Sequence, residues 1–299
     1  CNGNQMKNSI IRFQNITKNF ESIKALNKIS IEIPENSIFG ILGPNGSGKS
    51  TLMRILAGLI KSWDGEIEIM GKKYDFLDNS YINQFGFLIE APSFYEYLSA
   101  KENLKILSRL TNENAEKIDS VLETVKLTDR AKDKVKTFSY GMKQRLGLAQ
   151  CLLHDPQILI IDEPNNGLDP SGIRQMSKIL EDLHKKNKTI CISTHILSEV
   201  DTICTHAAIF KKGTLISTVE LNKEYQSLQT FIISSDNLSK YKNKFYNTDF
   251  LTTKRLNHES LIIQLSKSDD LLKLKKIISS IDDPLSMSKQ SNLIEFFND

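Results

Sequence analysis

Residues Gly43 to Thr51 read GPNGSGKST, and the fold class follows from them and their flanks. The segment fits G-x-x-x-x-G-K-[ST]. It lies between the apolar run SIFGILG (Ser37–Gly43) and the helical pattern KSTLMRILAGLI that starts at Lys49. A short continuous apolar run marks a strand buried on both faces, and the spacing of Leu52, Ile55, Leu56 and Leu59 predicts one apolar helix face. Strand, glycine-rich turn and helix are the context in which this pattern cradles phosphate. Glycines let the backbone curl so that successive N–H groups converge on an anion, and the helix start adds partial positive charge. Gly43, Pro44, Asn45, Gly46, Ser47, Gly48, Lys49, Ser50 and Thr51 are therefore expected to hold a nucleotide's phosphates. Lys49 would reach the β- and γ-phosphates, and Ser50 would offer its hydroxyl to Mg²⁺.

A second buried strand, QILIIDEP (Gln157–Pro164), ends in two adjacent acids. After a phosphate loop, Asp162 is expected to hold Mg²⁺ through water and Glu163 to take a proton from the attacking water. Standing alone, the pair would read equally well as solvated acids at a strand tip.

The remaining pattern alternates strands and helices. IIRFQNITKNF (Ile10–Phe20), ISIEIPEN and GEIEIMGK read as strands. SAKENLKILSRL and NAEKIDSVLETVKL read as helices, with Leu104, Leu107, Leu110, Ile118, Leu122 and Val125 on apolar faces. Ser139 to Leu153, GIRQMSKILEDLHKK and ILSEVDTIC are helical, TICIST is a buried strand and HAAIFKKGTLIS a hairpin. Such alternation argues for an α/β fold with a parallel sheet. Beyond Glu220 the order strand (Phe231–Ser234), helix (Leu238–Phe245), strand (Phe250–Arg255), strand (Ser260–Leu265), helix (Asp270–Ile281), strand (Asn292–Phe297) fits a small α+β appendage. The expected organisation is a lead-in at 1–9, a nucleotide-binding domain at 10–219 with a helical subdomain near 91–153, and an accessory domain at 220–299. Met6 reads as the natural start and Cys1 to Gln5 as added residues.

Composition bounds the rest. The chain has 299 residues, 39% of them apolar, and a net charge of +3. Its charges are mixed with no basic stripe, so no nucleic-acid partner is expected. Cys151, Cys191 and Cys204 form no CxxC or Cys/His zinc spacing and read as small buried apolar residues in a reducing compartment. No run of eighteen or more apolar residues suggests a bilayer-spanning helix.

With these residues in hand, the chain from about Ile10 to Val219 resembles the ATP-binding subunit of an ABC transporter, with a P-loop ATPase core. FSYGMKQRLGLA (Phe138–Ala149) resembles the family's signature, usually LSGGQ. Ser139 and Gly141 match it, whereas Tyr140 and Met142 depart. The resemblance implies that Phe20 stacks on adenine, that Asp169 in NGLDP crosses a dimer interface, and that His195 in STH is the switch histidine at the γ-phosphate. Taken alone these would read as a core aromatic, an ordinary turn into a helix and a structural histidine. The resemblance further implies ATP and Mg²⁺ as ligands and a head-to-tail dimer with a copy or sister ATP-binding subunit. Each ATP would lie between one phosphate loop and the opposite signature. It also implies integral-membrane permease subunits as partners, and a cytoplasmic location, peripheral on the inner face of the cell membrane. The alternative is an ABC-type regulatory or translation-associated ATPase with no permease.

Within the family, FGFLIEAPSFYEYLSAKENL is similar to bacitracin-resistance and lantibiotic-immunity ATPases, which implies export of an antimicrobial peptide or antibiotic. Most members carry glutamine where Glu90 stands, and the lantibiotic-immunity subgroup shares the glutamate. A carboxylate there is attracted to Mg²⁺ and repelled by a bare γ-phosphate. Glu90 is therefore expected in the metal shell and among the catalytic groups; the plainer alternative is that it points to solvent and only caps APSFYEYL.

Overall fold

The computed structural model describes residues 9–75, 79–110, 116–222, 225, 228–246, 248, 250–255, 257, 259–265, 270–281 and 283–296. The chain divides into two compact units. One comprises Cys1–His195 with His206–Thr218, and the other Ile196–Thr205 with Val219–Asp299. The segment Ile196–Thr205, expected with the nucleotide-binding part, thus groups with the C-terminal part.

The first unit begins with β1 (Ser9–Phe20), β2 (Ile23–Pro34), β3 (Ile38–Leu42), α1 (Lys49–Leu56), β4 (Asp64–Ile69), β5 (Lys72–Lys73) and β6 (Phe85–Leu88). It continues with α2 (Ala100–Leu110), α3 (Lys117–Thr124), α4 (Tyr140–Leu152), β7 (Ile158–Asp162), α5 (Pro170–His184) and β8 (Thr189–Thr194). After α6 (Leu197–Ile203), which belongs to the second unit, come β9 (His206–Lys211) and β10 (Thr214–Glu220). A sheet in the order β2-β1-β4-β5 is antiparallel in each of its pairings. A second sheet has the order β10-β9-β3-β8-β7-β6, with parallel pairing from β9 through β6.

The apolar runs sit where their composition demands. β3 and β8 are buried along their whole length, and β7 up to Asp162, as expected for central strands covered on both faces. Register then fixes function. Leu42 pairs with Thr194, Asp162 with Ser193, and Leu88 with Ile161. The residues that follow β3, β6, β7 and β8 therefore leave the sheet at one carboxyl edge, where ligands bind open α/β sheets.

Two residues expected on helix faces are exposed. Leu59 is 63% exposed, because α1 stops at Leu56 and Gly58 takes φ 70, with Leu59 N–H returning to the Arg54 carbonyl at 2.9 Å. A left-handed glycine past the last turn is a common helix stop. Leu110 is 78% exposed. Spacing by three residues drifts about 60° per step on a helix of 3.6 residues per turn, so Leu110 has rotated away from buried Leu104. The buried positions of α2 are Ala100, Asn103, Leu104 and Ser108. Ile118, Leu122 and Val125 are buried as expected, and α2, α3 and α4 pack on one another.

The second unit contains β11 (Gln229–Ser234), α7 (Leu238–Tyr246), β12 (Leu251–Arg255), β13 (Ser260–Leu265), α8 (Asp270–Ser279) and β14 (Ser286–Gln290). Its sheet, in the order β12-β13-β11-β14, is antiparallel throughout. Phe231, Ile233, Leu261, Ile263 and Leu265 pack with Leu238 and Phe245 of α7 and Leu274 of α8. The order of elements matches the expected βαββαβ, but the last strand is Ser286–Gln290 rather than Asn292–Phe297. Residues Asn292–Phe296 form a 3-10 helix, and Phe297 lies outside the described residues. The Asn292 side chain donates to the Tyr225 and Leu228 carbonyls, and Leu293 N–H donates to Ser291 Oγ. Such local side-chain bonds offer the backbone an alternative to the ladder.

Candidate active site

Gly43 follows β3 and starts the loop that turns into α1. A Cβ at Gly43 would lie 2.4 Å from the Phe210 carbonyl oxygen. One at Gly48, where φ is 104, would lie 2.6 Å from the Ala25 carbonyl oxygen. Only glycine lets this loop pack so closely. Gly48 is the N-cap of α1 and has no side-chain capping bond, and no acidic residue stands in the first turn. The first-turn N–H groups and their positive end of the helix are therefore available to an anion. Ser47 Oγ is buried with no hydrogen-bond partner. A loop with an uncapped helix start, an orphaned hydroxyl and a lysine fits phosphate.

Lys49 is 5% exposed. Its Nζ donates to the Gly43 and Pro44 carbonyls at 2.8 and 3.2 Å and lies 3.6 Å from Glu163 Oε1. The other oxygen, Glu163 Oε2, is 2.8 Å from His195 Nδ1. The acid after β7 thus stands between the loop lysine and the histidine after β8. The Glu163 backbone has φ 49, a left-handed conformation that costs an L-residue about 1–3 kcal/mol and is concentrated at functional sites. Its N–H is tied to Ser193 by bonds to the carbonyl oxygen (3.2 Å) and to Oγ (3.0 Å). Ser193 Oγ in turn donates to Asp162 Oδ1. Ser193 aims both acids and was not singled out in the sequence. Its place opposite Asp162 follows from the parallel register of β7 and β8, which no local pattern in the sequence specifies.

These groups border a cleft of about 730 Å³ lined by Phe20, Ile23, Lys24, Ala25, Asn45, Gly46, Gly48, Lys49, Ser50, Thr51, Glu163, Asn166, His195 and Lys212. Phe20 is at its mouth, 44% exposed, at the end of β1. Lys24, Asn166 and Lys212 are cleft residues the sequence did not flag. The oxygens of Ser50 and Asp162 are hard ligands of the kind Mg²⁺ prefers.

Of the expected site residues, Gly43, Pro44, Ser47 and Asp162 are near lining residues in the chain but do not line the cleft themselves, and Ser139, Gly141 and Asp169 are placed outside it. Ser139 is the N-cap of α4 and accepts from Met142 N–H at 3.3 Å. Gly141 follows it, and its neighbour Tyr140 lays its ring 3.2 Å from the position of a Cβ on Gly167. Asp169 caps α5 by accepting from Gly172 N–H at 2.9 Å. Asp169→Ala should therefore lower stability by about 1 kcal/mol. The thermal midpoint should fall by about 2–4 °C; an unchanged midpoint would show that the cap contributes nothing.

Glu90 also departs from expectation. It does not line the cleft. Its Oε1 is 3.4 Å from Arg54 Nη2, and the two side chains are 72% and 42% exposed. Instead it borders a second cavity of about 620 Å³ between β6 and the helices, lined mainly by apolar residues including Phe85, Phe87, Leu88, Pro92, Leu107 and Cys151. Burial pushes the Cys151 thiol up to about 12 and raises that of Cys191 as well. Cys151, Cys191 and Cys204 are buried and in no disulfide, which fits small buried core residues, as expected.

A family model described as "ABC transporter" matches residues 26–166. The bacitracin transport ATP-binding protein of Bacillus licheniformis is 41% identical over 77% of this chain and 76% of its own length. The lantibiotic transport ATP-binding protein of Streptococcus pyogenes is 37% identical over 82% of this chain and its full length. A solved dimeric bacterial ABC transporter cassette superposes with a TM-score of 0.63 at 25% identity, covering 71% of this chain and 99% of the cassette.

Proposed function

The chain belongs to the ATP-binding subunits of ABC transporters and hydrolyses ATP, and on that premise we propose that it is the energy-coupling subunit of an exporter for an antimicrobial peptide or antibiotic, serving self-immunity or resistance. The observation that carries the cargo class is the pair of bacitracin and lantibiotic relatives, each matched over most of its length.

ATP lies in the cleft with its triphosphate on the first turn of α1 and its adenine on Phe20. Lys49 Nζ, now facing Glu163 Oε1 at 3.6 Å, turns its charge to the β- and γ-phosphates. That frees Oε1 to accept a proton from the water attacking the γ-phosphate. His195 stays on Oε2, orients the carboxylate and contacts the γ-phosphate. Ser50 and Asp162 would hold Mg²⁺, which supplies charge neutralisation at the β- and γ-phosphates. The site is completed in a head-to-tail dimer by Ser139 and Gly141 of a second subunit, with Asp169 at the crossing. Their position outside the cleft is compatible with service to an opposite site.

Glu90 is proposed to join the metal shell when nucleotide is bound. Support comes from β6, whose exit stands beside that of β7 at the carboxyl edge, and from the exposure of its pair with Arg54. An exposed pair of this kind is worth about 0–1 kcal/mol and is readily exchanged. Glu90→Gln should leave turnover in place while flattening its dependence on Mg²⁺. Coincident Mg²⁺ titrations for the two proteins would leave Glu90 as a surface partner of Arg54.

No helix among the described residues is long and apolar enough to cross a membrane; likeness to the transport ATP-binding relatives supports a permease as the coupling partner. The proposed seat for it is the apolar cavity bordered by Phe85, Phe87 and Leu107, whose rim exposes Leu59 and Ile82. A cytoplasmic helix of the permease would bury that rim and hold the chain at the inner face of the membrane. Deleting the gene from its host should raise sensitivity to bacitracin or to a lantibiotic, and the wild-type copy but not one carrying Glu163→Gln should restore resistance. Unchanged sensitivity to both classes would reject the cargo assignment.

A further inference from the structure

Lys18 stands two residues before Phe20 on β1, where the pairing with β2 shifts register between Lys18 and Asn19. Its Nζ lies 4.7 Å from the centroid of the Phe20 ring. The same ammonium donates to the Ser62 carbonyl oxygen at 2.5 Å, just ahead of β4, so it is tethered to backbone. Phe20 lines the nucleotide cleft and Lys18 does not. The ring is further placed by the two-residue link to β2. Phe20 pairs with Ile23, and Glu21 between them takes φ 48.

We infer that Lys18 is a positioning residue for the nucleobase, backing Phe20 as a cation–π partner so that the opposite ring face receives the purine. The inference rests on the reading of Phe20 as the base-stacking residue. Two physical effects act together. The tether restricts the side chain at an exposed position, so less ordering remains when base arrives. A cation on one face also draws π density toward itself, and the opposite face becomes less repulsive to an electron-rich purine.

The test compares ATP turnover in Lys18→Met, Lys18→Arg and Phe20→Ala, with tripolyphosphate as a base-free competitive inhibitor. Lys18→Met keeps most of the aliphatic stem and removes the charge. Its KM for ATP should rise about two- to fivefold, with kcat unchanged and the tripolyphosphate inhibition constant unchanged. Lys18→Arg should restore KM. If Phe20→Ala raises KM and Lys18→Met does not, the role of Lys18 is overturned and the stacking role of Phe20 stands. A KM untouched by Phe20→Ala would overturn the stacking reading itself, and the inference with it. A tripolyphosphate constant that weakens in step with ATP would place the effect at the phosphates and also overturn the inference.

Discussion

Glu163→Gln is expected to slow ATP hydrolysis by about 10²–10⁴, the usual contribution of a positioned general base, while ATP still binds. The amide keeps the shape and can still bond His195 Nδ1, which lies 2.8 Å from Oε2. It loses the capacity to take the proton from water. Because binding outlasts hydrolysis, the variant should accumulate as an ATP-held dimer, visible by size-exclusion chromatography with ATP and absent with ADP. Single-turnover phosphate release would show the loss in the chemical step. Unchanged turnover would remove Glu163 from the role of base and leave its left-handed backbone, at φ 49, without a catalytic explanation.

Lys49→Ala acts earlier. The ammonium is almost fully buried, against the Gly43 and Pro44 carbonyls and Glu163. A charged hydrogen bond contributes about 1.5–3 kcal/mol, so the variant should bind ATP about 10- to 100-fold more weakly by titration calorimetry. Loss of the lysine also leaves the Glu163 carboxylate facing the phosphates without its nearest cation. Affinity should therefore fall more for ATP than for ADP. Equal affinities for wild type and variant would place the triphosphate elsewhere in the cleft.

Much of this site was legible in the sequence because its pieces are local. Gly43 to Thr51 specify loop, turn and helix start within nine adjacent positions, and the apolar runs ending at Leu42, Asp162 and Thr194 identify buried strands. What periodicity lacks is register. Ser193 aims Asp162 and Glu163 only because β7 and β8 pair in parallel at that level. Lys18 was passed over because a strand reading of Ile10–Phe20 says nothing of where a lysine side chain folds, whereas the structure brings it onto Phe20. The misplaced last strand has a similar cause. LIEFF carries strand-like composition, but Asn292 binds three partners, Thr230, Tyr225 and Leu228, and bends the backbone into a 3-10 turn. Leu59 was lost to Gly58, a helix stop written in the sequence but outweighed there by the apolar spacing around it. Glu90 meets Arg54, 36 residues away in the chain, a contact that no local pattern specifies.

The central claim is that this chain hydrolyses ATP in a cleft completed by a second subunit. The most direct measurement is the specific activity of the purified chain with ATP and Mg²⁺ over a wide range of protein concentration. The account predicts that activity per subunit rises with concentration and levels off as the dimer fills, with Ser139→Ala lowering the plateau. A specific activity that stays constant from dilute monomer upward would contradict it, because one subunit would then suffice for hydrolysis.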